Sequence, residues 1–69
     1  MTMYQHHKGG VYEFLFIAIH SESNEKLVIY KNDQGQIFAR PFNMFFENII
    51  KDGQEVPRFK KIDINLDVI

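Results

Sequence analysis

His6, His7, His20 and Glu22 are the side chains of this sequence with metal-ligand chemistry. Neutral imidazoles with a carboxylate suit zinc and related ions, and His20 with Glu22 could also form an acid–base dyad, because a nearby carboxylate orients and charges an imidazole. Their spacing matches no established ligand motif, and no nucleophile accompanies them. The simpler reading is structural. His20 caps or bridges its turn through Ser21 and Glu22, and His6 and His7 belong to a mobile N-terminus. No metal and no other cofactor is expected, and a small-ligand or metal-dependent enzyme centred on His20 and Glu22 ranks third among the functions considered.

Arg40 and Arg58 are the two guanidiniums of the chain, each next to a proline and near phenylalanines. Arginine reads planar acceptors and stacks on rings, which lysine does poorly. The functional reading makes them a recognition surface, together with Phe59 and other aromatics, for a peptide, a carboxylate or phosphate, or unstacked bases. The competing reading pairs them with Glu47, Glu13 or Glu55 as structural ion pairs. Met44, beside Phe45, offers an adaptable contact for a partner if it reaches the surface, and otherwise fills a gap in the core. His20, Glu22, Arg40, Met44, Arg58 and Phe59 are therefore the candidate binding residues, and no catalytic residue is assigned.

Whatever positions these groups is small. Sixty-nine residues at 8.2 kDa make one domain, 1–69, and the balance of 45% hydrophobic to 25% charged residues is that of a folded chain rather than a disordered one. Ten aromatics, seven Phe and three Tyr, must supply much of the core. With no cysteine there is no disulfide scaffold, thiolate or zinc ribbon, and a reducing cytoplasm is the simplest location. Neither a secretory leader nor a membrane span is expected. A net charge of −1 argues against general attraction to nucleic acid or anionic lipid, though a local basic patch is compatible with it.

The elements read as follows. Val11 to His20 is a long strand rich in β-branched and aromatic residues, with Tyr12, Phe14, Phe16 and Ala18 on one face and both faces covered over much of its length. Lys26 to Lys31 pairs with it, NDQG at 32–35 turns the chain, and Ile37 to Arg40 is a third strand ended by Pro41. Phe42, Phe45, Phe46 and Ile49 then recur at helical steps, predicting a short 3₁₀ or α turn with Met44 outermost. Asp52-Gly53 closes a hairpin between Ile49–Lys51 and Glu55–Phe59, with Pro57 at an edge or bulge. The tail from 60 to 69 alternates, with Ile62, Ile64, Leu66 and Val68 opposite polar residues, so a homodimer through residues 61–68 is a further expectation.

The ordered motifs Tyr4-Gln5-His6-His7-Lys8-Gly9, His20-Ser21-Glu22, Leu27-Val28-Ile29-Tyr30, Arg40-Pro41, Met44-Phe45 and Val56-Pro57-Arg58-Phe59 resemble those of the bacterial domain of unknown function 1653 family. The resemblance spans residues 4–59. His7 stands where that family usually has an aromatic, and Phe38 where it tends to have Trp. It implies a small β domain and adds no reaction, substrate or partner. The order of a long strand, shorter strands, a helical turn and a final hairpin is similar to SH3-like barrels, so the expected fold is all-β, a small SH3-like, partly open barrel with one helical turn. The expected function is a cytoplasmic binding or interaction module without catalysis, with a protein partner. The alternative is a single-stranded nucleic-acid-binding barrel, whose mark would be salt-dependent phosphate contacts.

Overall fold

The computed structural model describes residues 1–62 and consists of strands with one short helix. In chain order these are β1 (Thr2–His6), β2 (Val11–Ile19), β3 (Lys26–Lys31), β4 (Ile37–Pro41), α1 (Phe42–Phe46), β5 (Asn48–Lys51), β6 (Gln54–Pro57) and β7 (Phe59–Ile62). Five strands form an antiparallel sheet in the order β4-β3-β2-β1-β7, and β5 pairs with β6 as a separate hairpin. Among the described residues the two sheets do not close into a barrel. The expected class, small and all-β, is the one observed.

Local chemistry explains each reversal. Between β1 and β2, the His6 carbonyl accepts from the Gly9 N–H and the His6 N–H donates to the Gly10 carbonyl, with Gly9 at φ +110°, a conformation that a side chain rarely adopts. Asn24, at φ +63°, closes the β2–β3 turn by donating its N–H to the His20 carbonyl. Asn32 organises the β3–β4 turn, its Oδ1 accepting from the N–H groups of Gln34 and Gln36. Asp52 and Gly53 both hold positive φ, 53° and 77°, the pair of angles a two-residue hairpin between right-twisted strands requires. Pro41 ends the edge strand β4 just before α1, and Pro57 ends β6, so neither deprives a central strand of a donor.

Two expectations are corrected. His6 and His7 do not belong to a mobile terminus, because Thr2–His6 is a strand within the sheet, paired to β2 on one side and β7 on the other. Its polar, weakly alternating sequence carries little strand signal, and the pairing partners on both sides supply the order. The second correction concerns β2. Its register against β3 shifts between Phe14 and Phe16, a bulge at Leu15. An extra residue reverses the alternation of side chains beyond it, so Tyr12 and Phe14 pack on the core while Phe16 turns to the other face and is 56% exposed. Ile17 and Ile19 are also exposed, so the distal half of this strand is not covered on both faces.

The core is aromatic. Val28, Tyr30, Phe45 and Phe59 are buried, with Tyr4, Tyr12, Phe14 and Phe42 packed against them. Phe45 comes from α1 and Phe59 from β7, and their rings stack with centroids 4.1 Å apart and 5° between planes. Phe42 lies at the margin of this cluster, and Phe46, expected inward, is 40% exposed. Met44 faces outward as expected. Beyond Ile62 the alternating tail lies outside the described residues, and so does most of the segment 61–68 named for a homodimer. Lys61 and Ile62 pair within the chain, with Tyr4 and Met3.

Candidate functional site

The sheet brings Arg40 and Arg58 to one corner, where both guanidiniums act on His6. Arg40 sits on β4 opposite Val28 of β3, its Nε donating to the Tyr30 hydroxyl at 3.2 Å and its guanidinium carbon 5.3 Å from the centre of the Phe59 ring. His6 meets the same ring edge-on at 4.8 Å, because His6 and Phe59 are register partners across β1 and β7. Phe59 is itself buried, so it supports these groups rather than meeting a ligand directly.

Arg58 occupies the single residue between β6 and β7, where the chain leaves one sheet for the other. Its N–H donates to the Glu47 carbonyl at 3.0 Å, its carbonyl accepts from the His7 N–H at 2.9 Å, and its Nη2 reaches Glu47 Oε1 at 2.7 Å. Its Nε is buried, with no hydrogen-bond partner among the described residues. Lys51, from the β5–β6 hairpin, donates through Nζ to the His7 carbonyl. The rings of His6 and His7 lie 4.3 Å apart.

Positive charge accumulates here. Burial first, then His7, Arg40, Lys8 and Arg58, hold His6 below the ordinary histidine pKa. His7 is lowered by partial desolvation and by Lys51, Lys8 and Arg58. Both shifts have the sign that crowded cations produce, since each added proton is repelled by those already present. Glu47 is the carboxylate bonded to this group.

Of the residues expected in the site, Arg40, Arg58 and Phe59 come together. His20 and Glu22 remain in the β2–β3 turn, where His20 Nδ1 accepts from the N–H groups of Glu22 and Ser23 at 3.2 and 3.3 Å, the capping role of the simpler reading. No hydrogen bond joins the His20 ring to the Glu22 carboxylate, and no cluster of three or more metal-ligating side chains occurs among the described residues. Met44 is exposed on α1. The ion-pair reading is right for Arg58, which takes Glu47, but Glu13 pairs instead with Lys31 at 3.6 Å and Glu55 accepts from Asn48. Sequence reasoning missed His6, His7 and Lys51 as members of the corner. His6 and His7 lie in a polar N-terminal stretch with little strand signal of its own, and Lys51 reaches His7 from 44 residues away. An open depression of about 670 Å³ lies elsewhere, between the Gly9-Gly10 and Asn32–Gly35 turns, and none of the expected binding residues lines it.

A family model described as protein of unknown function (DUF1653) matches residues 2–61, from the first residue of β1 to the last but one of β7. Comparison with curated proteins finds no match, and comparison with solved structures finds none either.

Proposed function

The chain belongs to the DUF1653 family, and from that premise we propose that it is a non-catalytic binding module for a protein partner, acting through the Arg40–Arg58 corner. One observation carries the reading: Arg40 lies over the Phe59 ring that His6 meets edge-on, and Arg58, next to Phe59 in the chain, brings a second guanidinium close enough for its charge to act on His6. Groups that are held by backbone pairing and ring packing lose little freedom on binding, which favours recognition by a small domain. The chemistry on offer is hydrogen-bond donation and positive charge, suited to holding an anionic or carbonyl-rich segment. A chain with no cysteine is compatible with work in a reducing cytoplasm.

The test is affinity capture on the full chain from the native cytoplasm, with and without nuclease, run in parallel with Arg40→Ala. A protein partner retained after nuclease and lost with Arg40→Ala supports the module. Recovery of nucleic acid, with every protein partner lost after nuclease, rejects it in favour of a nucleic-acid binder. An Arg40→Ala domain that unfolds, with no partner captured by the unaltered chain, makes the corner structural.

A further inference from the structure

The geometry points to an acidic peptide segment as the occupant of this corner, with Glu47 acting as a built-in competitor for Arg58; this rests on the binding-module reading above. Arg58 holds the Glu47 carboxylate through Nη2 alone, while its Nε is buried without a partner among the described residues, and its side chain keeps 23% of its surface exposed. A guanidinium takes a carboxylate best through two parallel bonds, so the single contact with Glu47 is not the strongest form of the pair and is open to exchange. Glu47 follows α1 and its side chain is 43% exposed, so it can swing into solvent, leaving the 23% exposed Arg58 guanidinium for a replacement carboxylate. An incoming carboxylate could then take the place of Glu47 on Nη2.

The surroundings favour an acidic peptide over a nucleic-acid strand. Lys51 donates to the His7 carbonyl, and an ammonium has two further donors for a second carboxylate of the same segment. His6 and His7 gain protons more readily once a negative charge is near. The cations gather at one corner of a chain whose net charge is −1, which is not the extended basic track that a phosphodiester backbone follows. Phe59, the ring beside the cluster, is buried and offers no face for a base to stack on.

The experiment uses the full chain and a short fluorescein-labelled oligoglutamate, read by fluorescence anisotropy, with an oligothymidylate of matched length as the competing probe. Glu47→Gln is expected to tighten oligoglutamate binding by up to about fivefold, the weight of one exposed ion pair. Lys51→Gln is expected to weaken it by a similar factor, and both substitutions lie on exposed side chains, so the fold is left intact. Tighter binding of oligothymidylate than of oligoglutamate, or affinity unmoved by both Glu47→Gln and Lys51→Gln, overturns the inference. If oligoglutamate fails while affinity capture yields a nuclease-resistant partner sensitive to Arg40→Ala, the peptide class is wrong and the module stands. If both fail, the module falls with it.

Discussion

Arg58 is joined to Glu47 twice, once through the backbone, where the Arg58 N–H donates to the Glu47 carbonyl, and once through the side chains, where Nη2 meets Oε1 at 2.7 Å. The first bond belongs to the fold and survives any substitution except proline. The second is available for exchange. Because both side chains retain some solvent exposure, breaking it in Arg58→Gln should cost about 1 kcal/mol or less. Chemical denaturation of Arg58→Gln should give an unchanged m-value and a slightly lower midpoint; loss of cooperative unfolding would show that the side-chain pair is structural.

The stacked rings of Phe45 and Phe59 are a different case. Truncating a buried Phe to Ala removes its transfer energy and leaves a cavity, together about 3–5 kcal/mol, comparable to all the stability a core in a domain of this size supplies. Phe45→Ala should therefore be largely unfolded at room temperature, with collapsed amide dispersion in its NMR spectrum.

The bulge in β2 predicts unequal responses from two residues of the same type two positions apart. Phe14 packs on the core and Phe16 faces out beyond the shift in register. Phe14→Ala should cost about 3 kcal/mol, and Phe16→Ala about 1 kcal/mol, since only part of its ring leaves water on folding. Equal costs in urea denaturation would mean that the strand runs without a bulge.

Acid should weaken the fold. His6 and His7 are both held below their ordinary pKa in the folded chain, His6 by burial and by His7, Arg40, Lys8 and Arg58, His7 by desolvation and by Lys51, Lys8 and Arg58. The unfolded chain then binds protons more readily than the folded one, so stability is fully present above about pH 6.5 and is lost as pH falls through the lowered folded values. Melting temperature should drop over that window, and the drop should shrink in a His6→Gln, His7→Gln double variant. An unchanged slope in the double variant would assign the acid sensitivity to other groups.

The Asp52-Gly53 turn supplies the last check. Gly53 stands at φ +77°, where a side chain costs about 1–2 kcal/mol. Nothing would touch the added methyl of Gly53→Ala, so the loss measured by thermal melting reports backbone strain alone.

Much of the fold could be read in the linear chain because its determinants are local. The β-branched and aromatic run after Gly10, the Asp-Gly turn, Pro41 before residues at helical spacing, and the glycine and asparagine turns each act within a few residues and each appears in the structure, but Ile49 falls in β5 rather than in the helical turn, and the strand expected over Glu55–Phe59 ends at Pro57, with Phe59 opening β7 of the other sheet. The family motifs are contiguous for the same reason. What the chain did not reveal depends on partners distant in sequence. Thr2–His6 becomes a strand because β2 and β7 pair with it on both sides, and nothing in its own side chains requires that. The bulge at Leu15 follows from the register against β3, which no pattern within β2 announces. Arg58 could be assigned an ion pair with Glu47 from residue type, yet its meeting with His6, His7 and Lys51 arises where β7 leaves the hairpin to join β1. Hydrophobic periodicity reports which way a side chain points from its own strand, while the assembly of charge at a corner is decided by how separate strands are brought side by side, information carried only by the packed chain.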